Sequence, residues 1–152
     1  MKQLVIFALL NFGALAIGGL FTGGGVSSEW YASLNKAPWT PPGWVFGAAW
    51  TTIMVCFTIY MAKAFDASDN KSMIIGLFAV QWVLNVAWNP AFFKYHMVVL
   101  GLIILILLVT VLVVMAFKYS QSIKHWSWLI APYIVWLLIA TSLNGYILLS
   151  NH

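Results

Sequence analysis

Long apolar stretches alternate with a few charged residues along this chain, and the charged residues mark where each stretch begins and ends. A helix rises by about 1.5 Å per residue, so roughly 20 residues cross a hydrocarbon layer of ~30 Å. Only helices and closed barrels satisfy their backbone groups in lipid, and these stretches are too long and too uniformly apolar for barrel strands. The pattern predicts five membrane-spanning helices, at about 3–21, 43–64, 72–93, 97–117 and 127–149.

The predicted fold is therefore an all-α integral membrane protein, a five-helix bundle formed by one domain over residues 1–152, with residues 22–42 as a structured lid. The first span has a second interpretation. Lys2, the apolar run after it and the triplet Ala14-Leu15-Ala16 resemble a signal peptide with its cleavage site. The apolar stretch continues to Phe21, which favours a span.

Composition and charge agree with a membrane protein. The chain is 63% apolar and only 7% charged, whereas a soluble domain carries about 25% charged residues. Its basic residues are scattered lysines without arginine, which argues against a nucleic-acid surface. Of the seven lysines, only Lys36 and Lys94 fall on the side of the lid, so the positive-inside rule predicts a cytoplasmic N-terminus.

Three amide side chains in the third span form a polar stripe. Gln81, Asn85 and Asn89 recur every fourth residue, so they share one helix face, and Trp88 and Phe92 flank them. Because amides lack partners in lipid, we expect them to point inward. They either hydrogen-bond between helices or line a ligand pocket, since pockets combine apolar walls with a few polar groups.

The second and fifth spans carry aromatic stripes of the same spacing. Each stripe alone is typical of helix packing, but together with the amides they favour a pocket. The residues concerned are Phe46, Trp50 and Met54 in the second span, and Pro132, Trp136, Ala140 and Asn144 in the fifth.

The lid combines indoles with prolines in the stretch WYASLNKAPWTPPGWVFGAAW, which covers Trp30 to Trp50. Pro38, Pro41 and Pro42 fix φ and remove backbone donors, so the lid should be stiff. Its tryptophans are open to a simpler interpretation as a membrane-interface belt.

Other kinds of site find little support. His96, His125 and His152 all lie at span ends or beyond, which argues against a buried zinc site or a haem ligand in mid-membrane. The single cysteine, Cys56, cannot form a disulfide framework. Two small-residue steps, Ala14 with Gly18 and Gly76 with Ala79, could bring helices together within the chain or between two copies.

Three segments, in order, resemble the translocator protein family, also called tryptophan-rich sensory proteins or peripheral benzodiazepine receptors. They are the Trp30–Trp50 stretch, LNVAWNPAFF in the third span and PYIVWLLIATSLN in the fifth. The resemblance implies a five-helix bundle, often a homodimer, closed on one side by the first loop. It also implies binding of porphyrins such as protoporphyrin IX, with haem as a further candidate, and of synthetic aromatic ligands, with no required cofactor.

Carried over residue by residue, the resemblance implies a binding pocket formed by Trp39, Pro41, Phe46, Trp50, Asn85, Asn89, Phe92, Trp136 and Ala140. Some bacterial members are implicated in light- and oxygen-dependent porphyrin breakdown, and Trp50 and Trp136 hold the positions of the tryptophans involved. The expected function is a receptor-like binding protein, and an enzyme and a transporter are the alternatives. Lys36 is a candidate partner for a porphyrin propionate.

Two departures from the family pattern bear on these expectations. Ala37 separates Lys36 from Pro38, where many members have Lys-Pro, so the path of the lid can differ there. The cholesterol motif of animal members needs a basic residue after its tyrosine, and no basic Lys or Arg follows Tyr146. The sequence thus argues against sterol binding.

Overall fold

The computed structural model describes residues 1–151, in which the regular elements are all helices. A π-helical turn at Pro90–Lys94 extends the fourth helix, and a 3₁₀ segment at Lys124–Ile130 joins the last two. The predicted all-helical class is confirmed, while His152 lies outside the described residues. The helices are α1 (Lys2–Val26), α2 (Glu29–Ser33), α3 (Gly43–Ala67), α4 (Lys71–Asn89), α5 (Val98–Ile123) and α6 (Ala131–Ser150).

Within residues 1–151, four helical stretches are long and apolar enough to cross a membrane: Lys2–Val26, Gly43–Ala67, Lys71–Lys94 and Val98–Ser150. The last is two helices folded back on each other, because Asn144 Nδ2, near the end of α6, donates a hydrogen bond of 2.9 Å to the carbonyl of Val98, at the start of α5. The chain is an integral membrane protein by composition and helix length.

The five long helices pack side by side, and α1, α4, α5, α6 and α3 follow one another around the molecule. The ends that meet the lid are those of α1, α4 and α6 and the beginnings of α3 and α5; we call this side the lid end. At the centre, side chains of α3, α5 and α6 are wholly buried, among them Phe57, Tyr60, Leu112, Tyr133 and Leu137. These side chains contact neither lipid nor water, and together they form a close-packed core.

Small residues of α1 let it approach α4 closely. A Cβ added at Gly18 would lie 2.9 Å from Asn89 Nδ2, and one at Gly25 would lie 2.2 Å from the Phe93 ring. Ala14 and Gly18 are both buried, so these two small residues form a helix–helix contact within the chain. Gly76 and Ala79 remain exposed on α4.

The lid begins later than the apolar pattern indicates, because α1 continues through Gly23, Gly24 and Gly25 to Val26. Hydroxyls hold this end: Ser28 Oγ donates to the Gly25 carbonyl at 2.6 Å and accepts from the Tyr31 amide at 3.1 Å. Ser27 is thus the C-cap residue at the α1 end, and Ser28 bonds to that end and caps the next helix, α2. The remainder of the lid, residues 34–42, is extended or turned before α3 begins at Gly43.

Candidate functional site

A cavity of about 80 Å³ lies in the half of the molecule nearer the lid and is lined by residues of α1, α3 and α4. Helix α4 contributes its amides, α3 its aromatic rings, and α1 a strip of small side chains that leaves the space unfilled. The lining residues are Ala14, Leu15, Gly18, Gly19, Thr22, Phe46, Gly47, Trp50, Asn85 and Asn89.

The three amides of the α4 stripe are all buried, but their hydrogen bonds differ. Gln81 lies outside the cavity, and its Oε1 accepts a bond of 2.9 Å from the Tyr133 hydroxyl. Asn89 lines the cavity, where its Oδ1 accepts from Thr22 Oγ1 at 2.5 Å and its Nδ2 donates to the Asn85 carbonyl at 3.3 Å. Gln81 therefore links helices, whereas Asn89 both links helices and faces open space.

Asn85 carries a side-chain amide that has no hydrogen-bond partner among the described residues and lines the cavity. Its residue surface is only 8% exposed, and none of the hydrogen bonds within residues 1–151 involves its side-chain amide. Within residues 1–151, Tyr119 Oη is the side-chain atom that is fully buried without a partner, whereas the Asn85 amide remains accessible at the cavity. Polar groups so placed normally bond to water or to a bound molecule. The amide can donate to a carbonyl or carboxylate oxygen and accept from an N–H.

Trp50 brings an indole to the same cavity. Its ring stands edge-on to Tyr133, with centroids 5.8 Å apart, and this contact holds it against the core. Phe46 lies one turn nearer the lid and is buried. Trp50 and Phe46 thus form one apolar wall opposite the small residues of α1.

Trp136 and Ala140 lie behind Phe46. The Trp136 ring stands edge-on to the Phe46 ring at 5.4 Å and borders a groove on the outer surface between α3 and α6. Ala140 and Phe92, together with Phe46, line a second, smaller cavity of about 30 Å³. Phe46 is therefore the partition between the main cavity and the space that these predicted site residues border.

The predicted lid residues lie apart from both cavities. Trp39 is 54% exposed, and its Nε1 donates to Ser142 Oγ on α6 at 3.1 Å. Pro41 lines neither cavity. Lys36 turns back onto the lid, where its Nζ donates to the Tyr31 carbonyl at 2.8 Å and lies 4.8 Å from the centre of the Tyr31 ring. Burial raises the pKa of Tyr31, so its hydroxyl stays neutral at physiological pH.

The contribution of α1 was not predicted from the sequence. Helix α1 supplies half of the residues around the main cavity, yet it offers one polar group there, the Thr22 hydroxyl. The only sequence signal was the small-residue step of Ala14 and Gly18, which has two possible interpretations. The small side chains of α1 create the cavity because they leave space between the helices. A hydropathy pattern contains no information about such space.

Metal binding has no support in the part of the chain that the structure describes, residues 1–151, which contains no group of three or more His, Cys, Asp or Glu side chains able to hold an ion. The chemistry available at the cavity is therefore apolar contact, aromatic contact and neutral hydrogen bonding.

Comparison with known proteins gives consistent matches along the chain. A family model described as the TspO/MBR family matches residues 5–149. The chain is 31% identical to the tryptophan-rich protein TspO of Chlorobaculum tepidum, over 99% of this chain and 98% of that protein. It is 33% identical to Protein CrtK of Rhodobacter capsulatus, over 85% and 80% of the two chains, and 31% identical to the translocator protein of Homo sapiens, over 84% and 78%. The similarity covers all five long helices.

Proposed function

The chain belongs to the TspO/MBR family, and from this premise we propose that it is a membrane receptor-like protein that binds porphyrins, protoporphyrin IX in particular, in the cavity between α1, α3 and α4. A planar ring with an apolar face and polar N–H and carboxylate groups matches a site built from Trp50, Phe46 and two asparagines. Synthetic aromatic ligands of similar shape fall in the same class. The family resemblance carries the choice of ligand.

The unpartnered amide of Asn85 is the observation that best supports a ligand at this place. The amide adds nothing to the contacts between helices, but at the cavity wall it can donate to a ligand oxygen and accept from a ligand N–H. Asn89 next to it is held in place by Thr22, so the cavity offers one free and one oriented amide. This combination of apolar walls and few polar groups is typical of small-molecule sites.

The cavity must expand to take a porphyrin. Its volume of about 80 Å³ is below the ~300 Å³ at which pockets for drug-sized ligands begin. Displacing the Phe46 ring would join the main cavity to the second one and bring Trp136, Phe92 and Ala140 into contact with the ligand. Binding would then be an induced opening of a structure that is closed without ligand.

A titration of the purified protein with protoporphyrin IX tests the proposal. We expect a saturable shift of the porphyrin absorption band, because the macrocycle moves from micelle to a defined aromatic site. Trp50→Leu should weaken binding about tenfold, since an aromatic pair contributes roughly 0.5–1.5 kcal/mol beyond area burial. Trp128→Leu is the matched control, because Trp128 is 77% exposed at the end remote from the lid. A titration without saturation, or equal weakening in both variants, contradicts the proposal.

The same complex distinguishes binding from photo-oxidative degradation. Illumination in air should bleach the bound porphyrin faster than free porphyrin only if the protein takes part in the breakdown, and Trp50 is then the first indole to replace. Equal bleaching rates leave a binding protein. Directional movement of porphyrin between vesicle compartments would instead indicate a transporter.

The finer membrane arrangement is part of the proposal. The five long helices would each cross the bilayer, with the N-terminus in the cytoplasm and the lid on the opposite side. A homodimer would use the exposed face of α4, where Gly76 and Ala79 leave room for a second helix. Cross-linking between copies through a cysteine at position 79, in a Cys56→Ser background, tests that surface.

A further inference from the structure

The lid end of the molecule is tightly closed. Asn35 and Asn151 bond reciprocally, with the Asn35 amide donating to Asn151 Oδ1 at 2.8 Å and Asn151 Nδ2 donating to the Asn35 carbonyl at 3.0 Å. The Trp30 ring stacks on His96, with centroids 4.0 Å apart and planes within 9° of parallel. Together with the Trp39–Ser142 bond, these contacts join the lid to α6 and to the segment after α4. A path from water into the cavity through the lid would require breaking them.

The side of the cavity between α1 and α3 is open by contrast. Gly19 on α1 and Gly47 on α3 both line the cavity, and both are exposed on the outer surface. A Cβ built at either glycine would meet no atom within 4 Å. These two positions therefore border open space that continues from the cavity to the outside, unlike Gly18, whose added Cβ would meet Asn89.

Contacts above and below confine this opening to one level. Toward the lid, a Cβ on Gly43 would lie 3.6 Å from the Val26 side chain, so the two helices touch there. Farther from the lid, Asn11 Nδ2 donates to Thr58 Oγ1 at 3.0 Å, and both residues are buried. This antiparallel register places Gly19 level with Trp50. The opening is thus a window between two closed contacts.

The window faces the hydrocarbon of the membrane. Gly19 and Gly47 fall within the apolar spans predicted at 3–21 and 43–64, and the nearby Leu20 and Trp44 side chains are 80% and 74% exposed. Large apolar side chains this exposed belong against lipid. A molecule passing the window would therefore come from the bilayer.

We propose that the cavity is loaded from the bilayer through a portal between α1 and α3 whose rim is formed by Gly19 and Gly47. This inference rests on the proposed function and adds to it the class of ligand: a planar molecule that dissolves in the membrane. Such a molecule enters edge-first between the two glycines and meets Trp50 on one side and the free Asn85 amide at the back. A porphyrin with two carboxylates on every pyrrole, such as uroporphyrin, stays in water and is excluded.

The rate of loading in lipid bilayers tests the portal. Protein in nanodiscs is mixed with vesicles that carry protoporphyrin IX, and the porphyrin signal is followed in time. Gly19→Leu and Gly47→Leu should slow association and dissociation alike, each by about tenfold or more, because a side chain on the rim obstructs passage in both directions. Because both glycines also line the cavity, the dissociation rate is the decisive quantity: an obstructed portal slows dissociation, whereas a damaged binding surface speeds it. Gly13→Leu is the control, since Gly13 also has open space around it, lies on α1 and does not line the cavity.

A disulfide that holds the lid closed allows a second, complementary experiment. Cysteines at positions 35 and 151, in a Cys56→Ser background, replace the reciprocal asparagine contact by a disulfide. With the disulfide formed, loading through the portal should proceed at the unlocked rate, whereas loading past the lid would stop.

The outcomes separate the portal from the proposed function. Unchanged loading in both Leu variants, or faster dissociation in both, would overturn the portal, because the glycines would then be irrelevant to passage or needed only for the binding surface. Saturable binding of uroporphyrin at comparable rates would also overturn it. No binding of protoporphyrin IX by the unchanged protein would instead refute the proposed function itself.

Discussion

At the scale of single residues, the amides of α4 show how one sequence pattern serves two purposes. Their spacing is uniform, yet Gln81 bonds to Tyr133 of α6, Asn89 bonds to Thr22 of α1, and Asn85 bonds to neither. Spacing alone placed them correctly on a buried face. It could not distinguish a link from a free group, because that difference depends on which neighbouring helix offers a partner at the same level.

Replacing these amides should therefore have opposite effects on stability and binding. Gln81→Leu removes the acceptor of the buried Tyr133 hydroxyl, and we expect the free energy of unfolding to fall by about 1–3 kcal/mol. Asn85→Leu removes an amide without a partner, so stability should be unchanged or higher, while affinity for protoporphyrin IX falls about five- to tenfold. Thermal unfolding in detergent and a porphyrin titration measure the two quantities. A loss of stability in Asn85→Leu as large as in Gln81→Leu would contradict this assignment.

Glycine positions on α1 carry a second prediction at this scale. Gly25→Ala should destabilise the protein, because its Cβ would lie 2.2 Å from the Phe93 ring, which must then move. Gly24→Ala is the control, since a Cβ at Gly24 meets nothing within 4 Å and alanine favours the helix by up to ~1 kcal/mol. The melting temperatures should move in opposite directions. A similar rise in both would mean that α1 does not rest on Phe93.

At the scale of elements, hydropathy located the long helices well but not their ends. The apolar pattern predicted a first span ending near residue 21, and α1 ends at Val26. Three successive glycines usually indicate a loop, but here they stay helical because α1 is packed on Phe93 and its end is held by the Ser28 hydroxyl. Short polar contacts of this kind leave little trace in an apolar pattern, so α2 was not predicted either.

The Ser28 cap should govern the order of the lid. Ser28→Ala removes the acceptor for the Tyr31 amide, and loss of such a cap costs roughly 1 kcal/mol. Hydrogen exchange across residues 29–33 should become about fivefold faster, while exchange in the middle of α5 stays unchanged. Ser33→Ala serves as the control, because the Ser33 hydroxyl bonds only to the Trp30 carbonyl at the other end of α2. Equal acceleration in both variants would argue against the cap.

At the scale of the whole molecule, the sequence predicted which faces turn inward but not how much room they enclose. Trp50, Phe46, Asn85 and Asn89 meet around one cavity, as stripes on facing helices can, whereas Trp39 rests on the outside of α6. The cavity itself arises from α1, whose contribution is the absence of side chains. The residues that determine its size and its opening are therefore the ones with the weakest signal in the sequence.

Charge is the other property that acts on the whole molecule, and it yields a testable orientation. The lid end carries Lys36 and Lys94 against Glu29, while the opposite end carries the other five lysines against two aspartates. Because positively charged loops stay in the cytoplasm, we expect Ser68, between α3 and α4, to be cytoplasmic and Ser33, in the lid, to lie outside.

Single cysteines at these positions, in a Cys56→Ser background, should react oppositely with an impermeant maleimide added to intact cells: position 33 labels at once, position 68 only after lysis. The reverse labelling pattern would show the opposite orientation, with the lid rather than the lysine-rich end facing the cytoplasm. The portal between α1 and α3 would still open to lipid in either orientation, so its loading experiment does not depend on this result.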